Sequence, residues 1–259
     1  MTSTVAARLA ASSAPPAPTV QRELQVGGLT PFTSIDYPGQ LSAVVFVQGC
    51  PWRCGYCHNP HLQPRGQASG PRWSKVLEFL RRRAGLLDAV VFSGGEPTLD
   101  PALPDSIADV RALGFKVGLH SAGIYPRRLQ SVLPLVDWVG LDIKAPLGSD
   151  AGLARVTGQG GSGGASAVRR SLAAVLQHSR TRGLAFECRT TVHPALLDDA
   201  ALRNVADDMA AVGVAHWVLQ IFRTQGVVGA LPRVTTEYPS TETLQRLRER
   251  LPTMTVRRD

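Results

Sequence analysis

The chain has 259 residues, 44% of them hydrophobic and 19% charged, a balance that suits a globular fold with a sizeable core and excludes a disordered or fibrous protein. No apolar run approaches the ~20 residues that cross a bilayer as a helix, so no membrane association is expected. Twenty-eight Lys and Arg stand against 20 Asp and Glu, a net charge of +8, which suits an acidic partner.

Residues 1–20 are rich in Ala, Ser, Thr and Pro, with one Arg and no acid. They lack the apolar stretch of about 7–15 residues of a secretory signal. Residues 1–22 are therefore expected to form a disordered tail, residues 23–259 the core domain, and the cytoplasm is the default compartment.

Six short β-branched or apolar runs follow: 42–47, 89–92, 116–120, 138–143, 184–191 and 216–221. Apolar residues at i, i+3, i+4 spacing place helices between them, over 74–83, 103–113, 126–133, 165–182 and 198–212. Ser74 suits a helix start, and Gly114 and Gly183 suit helix stops. Arg81-Arg82-Arg83 closes the first helix as a solvated face. The glycine-rich stretch 157–164 lacks a following Lys-Ser/Thr and reads as a flexible connection. Strands alternating with helices at this interval give βαβ units and a parallel sheet, either doubly wound or an incomplete barrel.

The two-residue period of a strand sorts side chains by face. In 138–144, Val139, Leu141 and Ile143 share one face and Gly140, Asp142 and Lys144 the other. In 186–191, Glu187, Arg189 and Thr191 oppose Phe186, Cys188 and Thr190. Buried charges are costly unless paired or used on a ligand, so Asp142 with Lys144 is either an internal ion pair or part of a site, and Arg189 either partners Glu187 or serves the same site. Cys188 falls with the apolar set and reads as a small buried hydrophobe.

Three of the four cysteines lie within eight residues, Cys50-x3-Cys54-x2-Cys57, directly after the first strand. Loops beyond the carboxyl ends of parallel strands are where α/β folds gather reactive groups. Three readings of the thiols compete: a zinc site with His58 as fourth ligand, a redox Cys54/Cys57 pair that leaves Cys50 unexplained, and a [4Fe–4S] cube held by three thiolates with one iron open.

Cys50-x3-Cys54-x-Tyr56-Cys57, with an aromatic before the third cysteine, resembles the signature of the radical S-adenosylmethionine (SAM) superfamily. The likeness extends to Ser34-Ile-Asp-Tyr-Pro-Gly39, Cys57-His-Asn-Pro60, Ser93-Gly-Gly-Glu-Pro97, Leu141-Asp-Ile-Lys144 and Glu187-Cys-Arg-Thr-Thr-Val-His-Pro194. Together these resemble the glycyl-radical-enzyme activases, most closely the activating proteins of anaerobic ribonucleoside-triphosphate reductases. The resemblance implies an incomplete (β/α)6 barrel. It implies a [4Fe–4S] cluster on Cys50, Cys54 and Cys57 whose open iron chelates SAM. One electron would cleave SAM to methionine and a 5′-deoxyadenosyl radical, which takes hydrogen from a glycine of the partner reductase.

By the same resemblance Tyr56, Asn59, Gly94, Gly95, Glu96, Ser121, Asp142, Lys144 and Arg189 would bind the cofactor, the Gly-Gly-Glu stretch holding its ammonium group. A flavodoxin or ferredoxin would supply the electron, steered by the basic surface. Pyruvate formate-lyase or another glycyl-radical enzyme is the alternative partner. A zinc-stabilised basic module is the remote alternative, although aromatic residues at 6% argue against nucleic acid as a partner. His120-Ser-Ala-Gly123 departs from the Asp-Thr-Asn-Gly common in such activases. The acid that would help hold a monovalent cation is lost, and a protonated His120 would instead attract the cofactor's carboxylate, so little dependence on such cations is expected.

Overall fold

A computed structural model describes residues 23–66, 69–225, 227 and 231–258; the tail expected at 1–22 lies outside them. The six expected strands form within a residue or two as β2 (Ser42–Val47), β3 (Ala89–Gly94), β4 (Lys116–Ser121), β5 (Trp138–Asp142), β6 (Ala185–Val192) and β7 (Trp217–Ile221). They pair in parallel in chain order. Between them run α1 (Trp73–Arg81), α2 (Leu103–Ala112), α3 (Pro126–Val132), α4 (Asp150–Thr157), α5 (Gly164–Arg182) and α6 (Asp199–Ala211), and α7 (Thr241–Arg250) follows β7. Two edge strands were not foreseen. β1 (Val26–Thr33) pairs antiparallel with β2, and β8 (Thr255–Arg257) adds in parallel to β7. The order β1 to β8 is linear, so the expected incomplete (β/α)6 barrel is present as an open sheet with an extra strand at each edge.

Strand parity divides the interior in two. Val45, Val47, Val90, Phe92, Val139, Leu141, Ile143 and Cys188 are buried in the larger cluster, with Leu80, Ile107, Leu129, Leu172 and Val205 of the helices. Burying one such aliphatic or aromatic side chain is worth about 1.5–3 kcal/mol, so this layer supplies the cohesion of the sheet and helices. The opposite face forms a small second cluster of Tyr37, Val44, Ala89, Val91 and Trp138. Cys188, with no exposed surface, sits in the outer layer as the alternation requires.

Local chemistry explains several element ends. Gly183 stops α5 in the left-handed conformation, and Gly158 does the same for α4. Ser149 Oγ accepts from Gly152 N–H to cap α4, and Asp198 caps α6 on Ala201 N–H. Ser74 does not start α1. The residue before the helix is Arg72, whose side chain makes no cap bond, and the Ser74 N–H donates instead to Glu23 Oε1 at 3.2 Å.

The lumen floor is closed by aromatic stacking and by one histidine. Tyr37, in the loop after β1, stacks on Trp138 with ring centroids 5.2 Å apart, and His120 meets Trp138 edge-on at 5.5 Å. His120 Nε2 lies 2.9 Å from the Asp36 carbonyl and Nδ1 lies 3.1 Å from Ser93 Oγ. A carbonyl can only accept, so Nε2 carries the proton and Nδ1 accepts from Ser93. Burial, reinforced by the Arg189 charge, lowers the His120 pKa to about 3. The imidazole is therefore neutral at pH 7, which corrects the expectation of a protonated group drawing in a carboxylate.

A base whose folded-state pKa is depressed contributes stability that is complete above its ordinary value near 6.5 and is lost as pH falls from there toward 3. His120→Gln, which can still donate to Asp36 and accept from Ser93, should lack this component. Urea midpoints of the two proteins, measured at steps between pH 7 and pH 4, should fall more steeply with acid for the wild type. Parallel pH profiles would show that His120 does not stay neutral in the fold.

Candidate functional site

The cysteine loop leaves β2 and is pinned on both flanks by backbone hydrogen bonds. Gly49 N–H donates to Leu62 O at 2.7 Å and Cys50 N–H to Gln63 O at 3.0 Å, while Arg53 N–H reaches Thr157 O at 2.7 Å and Gly55 N–H reaches Val156 O at 3.2 Å. The carboxyl end of α4 thus grips the middle of the loop. Gln48, 1% exposed, sends its Nε2 to His61 O at 3.1 Å and Pro64 O at 2.7 Å. It organises the loop, and a lone polar residue at the end of an apolar strand was the signal for it that the sequence carried.

The Gly94-Gly95 pair has a structural task beside the one its sequence suggests. Gly94 has φ +112°, and a Cβ there would sit 2.5 Å from Val47 N; one on Gly95 would sit 2.2 Å from the Gly49 carbonyl oxygen. Backbone of β2 and of the cysteine loop approaches both residues this closely. The ends of β2 and β3 are drawn together by Gly95 N–H to Val47 O and Glu96 N–H to Gly49 O, each 2.9 Å. The two glycines therefore seat the cysteine loop against the end of β3.

Cys50, Cys54 and Cys57 line one pocket of about 190 Å³, together with Tyr56, Asn59, Gly94, Gly95, Ser121, Asp142, Lys144 and Arg189. Eleven of the twelve residues expected at the site are thus brought together. Glu96 is the exception. Its carboxylate has no exposed surface and is turned toward the end of β4, where Oε1 accepts from Thr98 N–H, Thr98 Oγ1 and Ser121 Oγ at 3.1, 2.5 and 2.9 Å, and Oε2 accepts from Ala122 N–H at 2.8 Å. A carboxylate so occupied braces β3 against β4 and has little left for a ligand.

Gly140 makes room for the charged wall. A Cβ at Gly140 would lie 2.7 Å from the Arg189 guanidinium carbon. Arg189 Nη2 and Lys144 Nζ each stand 3.0 Å from an Asp142 carboxylate oxygen. Burial alone would raise the Asp142 pKa, but the two cations overcome it and hold the group at about 2. Arg189 does not pair with Glu187, which Arg257 of β8 engages at two contacts of 3.1 and 3.0 Å. One carboxylate against two cations leaves this wall with a net charge of +1. Lys144 Nζ also lies 5.4 Å over the Tyr56 ring.

Two of the thiols are held protonated by this environment. Burial pushes Cys50 up to about 12 and raises Cys54, an effect that Lys144 partly offsets for Cys54. Metal ligation would expel these protons. Among the described residues no three His, Cys, Asp or Glu groups converge as ligands of one ion. Three thiols on one pocket wall can serve as donors to an iron–sulfur cluster. Donor type, placement and the adjoining positive wall fit a three-thiolate iron–sulfur cluster with an anionic ligand beside it. His58 lines the same pocket, while His193 stands outside it. Both rings pack on Phe222, at 6.1 and 5.3 Å, and their nitrogens meet backbone carbonyls, His58 that of Gln225 and His193 that of Pro232.

Residues 44–167 match the radical SAM superfamily. A protein of Methanocaldococcus jannaschii named as a glycyl-radical enzyme activating enzyme is 28% identical over 187 residues, 70% of this chain and 73% of that one. The pyruvate formate-lyase-activating enzyme of Clostridium pasteurianum is 34% identical over 134 residues, 50% of this chain and 55% of that one. Among solved structures, a radical SAM methyltransferase from Sphaerobacter thermophilus superposes with a TM-score of 0.63 at 17% identity, covering 87% of this chain and 68% of the other, a likeness of fold. The chain is similar in sequence to glycyl-radical-enzyme activating enzymes and, over residues 44–167, to the radical SAM superfamily, whose cofactors are a [4Fe–4S] cluster and SAM.

Proposed function

We infer that this chain installs a glycyl radical on a partner enzyme, and that the partner is an anaerobic ribonucleoside-triphosphate reductase. The observation that carries the chemistry is the single pocket in which three thiols face the Asp142–Lys144–Arg189 wall. When bound, the cluster and SAM supply a one-electron cleavage whose radical product takes hydrogen from a glycine.

Cys50, Cys54 and Cys57 would each give one thiolate. Lys144 lies closest in influence to Cys54 among the charges that favour its thiolate, so it lowers the cost of ligation there. The net positive charge of the wall suits the SAM carboxylate, with Arg189 able to present a second N–H fork beside its bond to Asp142. The Gly94-Gly95 backbone would hold the amino end beside the loop it seats. Tyr56, buried with its hydroxyl free of hydrogen bonds, and Asn59 would complete the wall, and Ser121 would bind through the pocket rim while tied to Glu96. Among cysteines of the chain only Cys188 remains, and it is in the outer core, so the chain carries no residues for an auxiliary cluster of the kind that peptide- and small-molecule-modifying relatives often use. The Clostridium relative favours pyruvate formate-lyase as the second reading of the partner. The deciding experiment mixes reduced protein and SAM with each candidate enzyme and records EPR spectra. A glycyl radical on the reductase alone supports the first reading, on the lyase alone the second, and on neither overturns the activase assignment.

Replacing Cys50, Cys54 or Cys57 by Ala should abolish the visible sulfide-to-iron charge-transfer band after anaerobic reconstitution, while Cys188→Ala should keep it. A colourless wild type with stoichiometric zinc would reverse the assignment.

Arg189→Ala and Asp142→Asn should both retain the visible band and weaken SAM binding by about tenfold or more, the scale of one lost charged hydrogen bond. Equilibrium dialysis on the reconstituted variants checks this, and unchanged affinity in well-folded, coloured protein would make the three charges a structural ion pair only.

A further inference from the structure

Two carboxylates compete for Arg189. Asp142 stands opposite it in the register of β5 and β6, and Glu187 lies two residues before it on the same face of β6. The guanidinium reaches Asp142 with Nε and Nη2, at 3.1 and 3.0 Å, and the Gly140 carbonyl with Nη2 at 3.3 Å. Its Nη1 lies over Gly140, 2.8 Å from where a Cβ would stand, and makes no hydrogen bond among the described residues. Gly140 is the register partner of Glu187, and neighbouring strands run about 4.8 Å apart. A released Glu187 carboxylate would therefore find that Nη1 within reach.

Arg257 prevents the exchange. Its guanidinium takes both oxygens of Glu187, Nη1 to Oε1 at 3.1 Å and Nη2 to Oε2 at 3.0 Å, the two-pronged contact that binds a carboxylate firmly. The Glu187 side chain is 4% exposed, and a carboxylate so buried is costly to leave without a cation. Stripped of Arg257, it would turn to Arg189, the cation two residues along its own strand. The charges would then be redistributed. Glu187 with Arg189 would be neutral, Asp142 with Lys144 would be neutral, and the rim beside the thiols would lose its net +1. Arg257 itself lines a neighbouring cavity of about 530 Å³, with Arg189, Thr191 and Gln220, and stands outside the thiol pocket. It is carried by β8, which pairs with β7 only from Val218 to Gln220.

Resting on the reading of Arg189 as a holder of the SAM carboxylate, we propose that Arg257 is a positioning residue for the cofactor wall: by occupying Glu187 it keeps Arg189 on Asp142, in the thiol pocket. The short edge strand β8 thus bears on SAM binding through Glu187 and Arg189, without lining the pocket itself.

The test combines crystal structures of variants with equilibrium dialysis of SAM on the reconstituted full chain. In Arg257→Ala, Arg189 should be found on Glu187 and off Asp142, and the visible band should remain. SAM should bind about tenfold more weakly, the loss expected of Arg189→Ala itself. Glu187→Gln/Arg257→Ala has no buried charge to attract Arg189, so it should return Arg189 to Asp142 and restore the affinity; a loss of β8 packing alone would not be rescued in this way. Arg257→Ala added to Arg189→Ala should cost no further affinity, since the two act through one contact. Arg257→Lys should lie near the wild type. Arg257→Gln, which keeps one donor for Glu187 but no charge, takes the place of Arg257→Ala if that chain does not fold. Arg189 remaining on Asp142 in the variant used overturns the proposal, as does an equal loss of affinity from that variant with and without Arg189. An Arg189 that moves to Glu187 while SAM affinity holds upholds the positioning by Arg257 and instead removes Arg189 from the cofactor-binding reading.

Discussion

Parallel strands that bury one face against helices must turn every second residue into the lumen, and the rest of this molecule follows from that alternation. Phe92, Leu141 and Cys188 are taken by the outer layer, which leaves Ser93, His120, Asp142 and Arg189 with nowhere to go but inward. A polar lumen is tolerable only where each group is paired. The pairing here is layered. His120 bridges Ser93 and the Asp36 carbonyl on the floor, Glu187 is answered by Arg257 from the edge strand, and Asp142 is shared by Lys144 and Arg189 at the rim. Only the last layer is left unbalanced in charge, and it is the layer that meets the thiols.

Much of this was legible in the sequence, because the period of a strand is short and strict. Five or six residues of alternation place Val139, Leu141 and Ile143 on one side and Asp142 on the other without any knowledge of the fold. The same rule placed Cys188 away from the other cysteines. What parity does not give is the partner across the sheet. Arg189 shares a face with Glu187 and sits opposite Asp142 in the register of β5 and β6, and the choice between them depends on Gly140 leaving room and on Arg257 arriving from the far end of the chain.

The elements missed were those whose pattern is weak for a physical reason. β1 contains Gly27, Gly28 and Pro31, residues that depress strand propensity, and it is held by its neighbour rather than by its own sequence. α7 buries chiefly Thr243 and Leu247, too narrow a stripe to show as amphipathic. β8 is three residues long, and α4, likewise unforeseen, is only eight. Glu96 illustrates a different limit. Its place in a Gly-Gly-Glu motif identified the stretch, yet which way the carboxylate turns is set by Thr98, Ser121 and Ala122, donors that come together only when β3 and β4 are side by side.

The loop and the wall together determine what kind of centre the pocket can host. Burial makes the Cys50 and Cys54 thiols resist ionisation, Cys50 rising to about 12. Ionising them within a low-dielectric pocket requires positive charge nearby, and metal supplies most of it. The excess charge of Lys144 and Arg189 over Asp142 supplies the remainder, and it does so asymmetrically, on the Cys54 side. On the outer side of the loop Arg53 binds the Cys50 carbonyl and Arg65 packs beside Gly49. Positive charge beside the thiols would favour the more negative, reduced state of a cluster they held. The inner cations are enclosed and fixed by ion pairs, so their field persists in salt; the outer ones are solvated, so theirs is screened. The inner set therefore bears on the chemistry of the centre.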